Sequence, residues 1–177
     1  MKATCHYLLA AAAICALAAG LRFYHLGDWP FDGDELATFE EGGSLLGTVD
    51  APPQSQDYRL PRLAPVGYVF NAAAYAVLGR GEFGSRAAPA LLGVGYVVLL
   101  LWLLPGTMGR GTALCAALLV AVWPDHLFQS QNHRFYMAAG FFACLGMLLG
   151  ARAARRGSAP LALLASLAAL VALFSHT

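Results

Sequence analysis

Long apolar blocks that contain almost no charge dominate this sequence. Of its 177 residues, 59% are hydrophobic and 12% are charged, and the mean hydropathy is +0.60. Soluble domains carry about 45–50% apolar and about 25% charged residues. The composition therefore excludes a disordered chain and an ordinary soluble enzyme, and a net charge of only +1 also excludes a nucleic-acid binder. It predicts an integral membrane protein.

Five of these blocks predict transmembrane helices. A helix that crosses the bilayer needs about 20 mostly apolar residues, and backbone polar groups in lipid are satisfied only within helices or closed barrels. We therefore predict an all-α membrane protein with a single transmembrane domain and about five crossings. These are residues 7–26, 87–104, 112–128, 135–151 and 160–175.

The first block has an alternative interpretation as a cleaved secretory signal peptide, because an Ala-rich run precedes a Gly. The apolar run is long, however, and it ends in aromatic residues of the kind found at membrane interfaces. We therefore favour an anchor that is retained.

The segment between the first two crossings, residues 27–86, is the polar part of the chain. Eight of the ten acidic residues lie in its first portion, 27–62. Two juxtamembrane helices are predicted here. The first covers 35–46 with Asp34 as its N-cap, and the second covers 63–79, which is barely long enough to cross the membrane.

The distribution of positive charge predicts the orientation. If the block at 63–79 does not cross, the basic residues at the N-terminus and in two of the short loops share one side, and the positive-inside rule makes that side cytoplasmic. These basic residues are Lys2, Arg110 and the arginines between 152 and 156. We therefore predict a multi-pass protein of the inner or plasma membrane with a cytoplasmic N-terminus, whose 27–86 and 129–134 segments lie outside.

Several polar residues on the outer side could carry chemistry. Asp34 lies in the first outer segment, and Arg134 follows the third predicted crossing. A carboxylate in a partly shielded cavity suits general-base catalysis, and a guanidinium forms paired hydrogen bonds to phosphate oxygens. The pair predicts group transfer from a lipid phosphate to an acceptor hydroxyl. The alternatives are that Asp34 only caps a helix and that Arg134 only reaches lipid headgroups.

Three stretches, in order along the chain, resemble one family of membrane enzymes. They are the acidic pair Asp34-Glu35, the pattern E-F-x2-R-x2-P-x3-G at 82–93, and the pattern P-x-H-x3-S-Q-x2-R-x-Y at 124–136. The terminal Ser175-His176-Thr177 is a weaker match to a Thr-His element. Together they resemble the GT-C glycosyltransferases that use polyprenyl-phosphate sugars, including protein O-mannosyltransferases and lipid A aminoarabinose transferases.

This resemblance implies an inverting sugar transfer at the outer face, from a polyprenyl-phosphate sugar donor to a hydroxyl of a lipid, protein or glycan acceptor. It implies Asp34 as the catalytic base and Glu35 as an accompanying acid. The remaining motif residues are implied to bind substrate, and they are His126, Ser130, Gln131, Arg134, Tyr136 and His176. Family members are several times longer, so we expect the chain to be the N-terminal part of such an enzyme, truncated at its C-terminus.

Two other functions remain open at this stage. The first is a transporter or flippase fragment, or an accessory membrane protein. The second is a metal-dependent hydrolase at the outer face. A divalent metal ion would be bound there by imidazoles and a carboxylate, although their spacing matches no helical metal motif. The candidate ligands are His126, His133, His176, Asp34 and Glu35.

Overall fold

The computed structural model describes residues 2–45 and 65–175, which form helices joined by short turns, with no strand among them. The described helices are α1 (Lys2–Phe23), α2 (Gly33–Leu45), α3 (Pro65–Leu78), α4 (Glu82–Leu103), α5 (Pro105–Met108), α6 (Arg110–Val122), α7 (Pro124–Ser130), α8 (Tyr136–Arg156) and α9 (Ala159–Leu173). Three segments are long and apolar enough to cross a membrane: Thr4–Phe23, Glu82–Met108 and Tyr136–Arg156. The predicted all-α, membrane-associated class is confirmed at this level.

The core lies where α1, α4, α6 and α8 meet, with α4 at its centre. Alanines of α1 and α6 have no exposed surface, among them Ala18, Ala113 and Ala117. Side chains this small let helix backbones approach closely, which is how helices associate in a lipid environment. Their partners on α4 are larger, and Val97 and Leu100 fill the space between the helices.

The crossing predicted at 112–128 is two helices. The chain bends by 64° between α6 and α7, because Pro124 has no N–H and its ring clashes with the preceding turn. Trp123 before it is extended, with φ −67° and ψ 122°, as the residue before a proline prefers. With this pair counted as one span, the described helices supply up to four crossings.

The last two helices form an antiparallel hairpin. Gly157 ends α8 in the left-handed conformation, at φ 59°, and this reverses the chain. Helix α9 has 15 residues, which is about 22 Å and shorter than the hydrocarbon core. The fifth crossing at 160–175 therefore stays a prediction.

Helix α2 begins at Gly33, two residues before the predicted start, because its N-cap is Asp32. Asp32 Oδ1 accepts a hydrogen bond from the Glu35 N–H at 2.7 Å, and Glu35 Oε2 accepts one from the Asp32 N–H at 3.3 Å. This reciprocal arrangement is a capping box. The prediction that Asp34 caps this helix is therefore wrong.

Helix α3 corresponds to the predicted helix at 63–79. It lies against α4 and α2, and it approaches the turn before α8 so closely that a side chain at Gly67 would overlap Phe135. Its first turn also meets the end of α9, where the Val66 N–H donates to the Phe174 carbonyl at 3.3 Å. Residues 46–64 and His176 lie outside the described residues, so the end of the predicted helix at 35–46 and the role of His176 stay predictions.

Candidate functional site

A buried ion pair lies at the centre of the candidate site. Glu35 on α2 faces Arg86 on α4, with Oε1 2.8 Å from Arg86 Nε and Oε2 2.6 Å from Arg86 Nη2. Glu35 Oε1 also accepts the His133 backbone N–H at 2.6 Å. Burial opposes ionisation of Glu35, but the bonds from Arg86 and from the backbone outweigh it and hold the pKa of this carboxyl below its ordinary value. The implied accompanying acid is thus a buried, fully bonded carboxylate.

Arg86 also holds the chain that follows α1. Its Nη1 donates to the Leu26 and Trp29 carbonyls at 3.2 and 2.8 Å, and its Nη2 donates to the Pro30 carbonyl at 3.2 Å. Together with the two bonds to Glu35, these use all five guanidinium N–H groups. Sequence reasoning gave Arg86 no role, although it lies in one of the matched motifs.

Asp34 and Arg134 come together beside this ion pair. Arg134 Nη2 lies 3.6 Å from Asp34 Oδ2, and Arg134 Nη1 donates to the Asp34 carbonyl at 2.8 Å and to Thr38 Oγ1 at 2.9 Å. The Arg134 side chain is 16% exposed, whereas that of Asp34 is 79% exposed. The Arg134 guanidinium is therefore held in place by α2, while the Asp34 carboxylate projects away from the protein surface. Tyr136 lies in the same place, with its ring centroid 5.6 Å from the guanidinium.

His133 explains why these residues converge. Its ring has no exposed surface, it packs between Phe31 and Phe39, and its Nδ1 donates to the Ser85 carbonyl at 2.8 Å. Burial lowers the pKa of His133 to about 4, so the ring is neutral near pH 7. Since its backbone N–H binds Glu35, the residue before Arg134 is bonded to the residue after Asp34.

The alternative of a metal site has no counterpart in the described part of the chain, where no group of three or more His, Cys, Asp or Glu residues could hold a metal ion. One reason is local: His133 Nδ1 is already committed to a carbonyl. His176, the third candidate imidazole, is outside the described residues.

The other motif residues are in a second cluster, around the end of α1. His126 Nδ1 accepts from Arg22 Nη2 at 2.9 Å, and Ser130 Oγ donates to the His126 carbonyl at 2.5 Å. Gln131 Nε2 donates to the Leu21 carbonyl at 3.0 Å. His126 and Gln131 thus attach the region of α7 to α1, Ser130 bonds within α7, and no hydrogen bond from these side chains to Asp34 is described.

A cavity of about 310 Å³ lies on the other side of the Glu35–Arg86 pair. It is enclosed by the turn after α1 and by the segment between α7 and α8. Its described lining includes Trp29, Asp32, Phe128 and Asn132, but neither Asp34 nor Arg134. The candidate site thus has two parts, which the ion pair separates.

No protein-family model matches this chain, and neither a curated protein nor a solved structure is significantly similar to it. Its function is therefore inferred from its own residues, from the motifs that they form and from the geometry of the two clusters.

Proposed function

We propose that this chain is part of a GT-C-type membrane glycosyltransferase. It would transfer a sugar, with inversion, from a polyprenyl-phosphate donor to an acceptor hydroxyl of a lipid, protein or glycan. The observation that carries the proposal is the convergence of Asp34 and Arg134, 100 residues apart in sequence, with Arg134 Nη2 3.6 Å from Asp34 Oδ2. The order of the motifs supports it independently.

In this proposal Arg134 binds the donor phosphate. Its ion pair with Asp34 is longer than the roughly 2.7–2.9 Å of a strong charge-assisted hydrogen bond. Because the carboxylate is exposed, the pair contributes only about 0–1 kcal/mol. A phosphate can therefore replace the carboxylate on Nη2, while Nη1 stays bonded to the Asp34 carbonyl and to Thr38.

Asp34 is the proposed general base. Once released from Arg134, its carboxylate takes the proton of the acceptor hydroxyl as that oxygen attacks the anomeric carbon of the sugar. The bond from this carbon to the phosphate oxygen breaks, the electron pair leaves with the phosphate, and Arg134 stabilises the added charge. Glu35 positions both groups, because it follows Asp34 in the chain and binds the residue before Arg134.

We further propose five crossings, with the site on the outer face of the inner or plasma membrane. Helices α1 and α4 are antiparallel, since Tyr7 near the start of α1 bonds the Leu101 carbonyl near the end of α4. Arg110 reaches Thr4 at that same end, and Arg152 reaches the Leu103 carbonyl there. Arg110 and Arg152 thus lie at the end opposite Asp34, which the positive-inside rule makes cytoplasmic.

Substitution of the proposed base tests the function. Asp34→Asn keeps the shape of the side chain, and we expect it to slow sugar transfer about 10²–10⁴-fold. Transfer from a radiolabelled polyprenyl-phosphate sugar is measured in membranes that contain the protein at its full encoded length. Asp125→Asn is the matched control, because Asp125 is another exposed acid on the same side. Unchanged transfer by Asp34→Asn would remove the base assignment.

A second candidate function, lipid transport, is favoured by the broken pair α6–α7. Transporters place substrate and ion sites at interrupted helices, and here the interruption faces the buried Arg22. Movement of a fluorescent polyprenyl phosphate between leaflets of proteoliposomes distinguishes the two functions. The second candidate would be favoured if the wild type moves the lipid but transfers no sugar, and if Asp34→Asn moves the lipid equally well.

A further inference from the structure

The cation that lines the cavity beside Glu35, Arg86, is not available to an anionic ligand. All five N–H groups of Arg86 are bonded, to Glu35 and to three carbonyls. The amide nitrogen of Gln131 is bonded to backbone carbonyls of the α1 terminus. A phosphate or carboxylate would therefore meet no uncommitted cation from Arg86, and the proposed phosphate contact, Arg134, lies elsewhere.

Acceptor groups, in contrast, remain available in the described lining. Asp32 uses Oδ1 to cap α2, while its Oδ2 makes no hydrogen bond with the described residues. The side-chain oxygen of Asn132 is buried and has no hydrogen-bond partner among them. The charges of Glu35 and Arg86 cancel, and His25, which also lines the cavity, is already bonded to Asp28. The exposed carboxylate of Asp32 therefore adds a negative charge to the lining.

The large aromatic side chains of Trp29 and Phe128 also line the cavity. Trp29 and Phe128 are 70% and 61% exposed, so their faces are accessible to a ligand. A cation is attracted both to an aromatic face and to a nearby carboxylate. The volume of about 310 Å³ is at the lower end of the range for small-molecule sites, which suits a monosaccharide or a lipid headgroup.

We propose that this cavity binds the protonated primary amine of a small ligand, held by Asp32 and Asn132 against Trp29 and Phe128. The amine belongs either to an amino sugar or to an ethanolamine headgroup. This binding does not depend on the proposed sugar transfer, because neither Asp34 nor Arg134 contributes to it.

Binding is measured through the fluorescence of Trp29. The chain has three tryptophans. The substitutions Trp102→Phe and Trp123→Phe, both at exposed positions, remove the other two, so that Trp29 alone gives the signal. The full chain in phosphatidylcholine nanodiscs is titrated at pH 7 with glucosamine, N-acetylglucosamine and ethanolamine. We expect saturable quenching by glucosamine, and binding at least about tenfold weaker for N-acetylglucosamine, which has the same ring without the charge.

Asp32→Asn and Asp34→Asn form a matched pair of variants. Asparagine is as good an N-cap as aspartate, so Asp32→Asn keeps α2 intact, and we expect it to weaken glucosamine binding about tenfold or more. Asp34→Asn removes the same charge two residues away and is expected to leave binding unchanged. Because Asp34→Asn is also the variant that tests sugar transfer, failure of one proposal is distinguishable from failure of the other.

The ethanolamine titration identifies the source of the amine. Ethanolamine binding as tight as glucosamine binding assigns the cavity to a lipid headgroup, and binding of glucosamine alone assigns it to an amino sugar. The proposal is overturned if neither amine binds, if N-acetylglucosamine binds as well as glucosamine, or if the two asparagine variants have equal affinity.

Discussion

Removal of the Arg86 guanidinium is expected to be the most damaging single change near the site. Arg86→Met leaves the buried Glu35 carboxylate without its counter-ion and leaves three loop carbonyls, those of Leu26, Trp29 and Pro30, without donors. Removing one partner of a buried ion pair costs about 3–5 kcal/mol. Domains are stable by only about 5–15 kcal/mol, so a large fraction of the folding free energy is at stake.

Thermal unfolding in detergent, followed by tryptophan fluorescence, measures this cost. A chain of this size loses roughly 2–4 °C of Tm per kcal/mol, so we expect Arg86→Met to lower the Tm by roughly 6–20 °C. Arg80→Met is the control, since Arg80 is exposed and its replacement is expected to change the Tm little. Glu35→Leu combined with Arg86→Met removes the buried carboxylate that Arg86→Met leaves unpaired, and the double variant is expected to recover part of the lost Tm. Equal Tm values for Arg86→Met and Arg80→Met would refute the reasoning.

Three further outcomes are expected. Because the folded-state pKa of His133 is about 4 against an ordinary 6.5, the unfolded chain takes up a proton first as the pH falls. The free energy of unfolding therefore falls by about 3 kcal/mol between about pH 6.5 and pH 4, and His133→Gln should flatten this part of the Tm–pH profile. Glu35 has a lowered pKa in the folded chain, so its protonation adds a further loss of stability below its ordinary pKa. Gly93→Ala should lower the free energy of unfolding by about 1–3 kcal/mol, since its methyl group would lie 2.8 Å from Arg22 Nε. Gly140→Ala is the control, because the space around Gly140 is open, and it should not lower the Tm in the same thermal unfolding experiments. Arg22→Met should lower the Tm more than Arg22→Lys, because lysine keeps a donor for the carbonyls at the end of α6.

The helices could be located from the sequence because apolar blocks and turn residues are local signals. The block at 135–151 became α8, Tyr136–Arg156, and the block at 63–79 became α3, Pro65–Leu78. The apolar length of the third block predicts one helix, although the block contains Pro124. The proline was the better guide to the chain path.

The error at the start of α2 has a similar cause. Asp32 and Glu35 have the three-residue spacing of a capping box, but the position of Asp34 directly before the predicted helix favours Asp34 as the cap. The contacts between Glu35 and Arg86 have no local signal, since the two residues are 51 positions apart. Only the ion pair between Glu35 on α2 and Arg86 at the start of α4 reveals that Glu35 is structural, and the Asp34 side chain beside it is exposed.

The arginines of the bundle show why Arg134 is distinctive. Arg22 is buried and contacts no carboxylate among the described residues, because the carbonyls at the end of α6 accept its hydrogen bonds, and a cation is favourable at a helix C-terminus. Arg152, which the sequence suggested only as a topology signal, donates to the Trp102 and Leu103 carbonyls at the end of α4. Arg86 is the one of these arginines for which bonds to all five N–H groups are described. Arg134 differs from these three, because its Nη2 contacts an exposed carboxylate at 3.6 Å, so in the proposed function this nitrogen can exchange the carboxylate for a phosphate without loss of a buried contact.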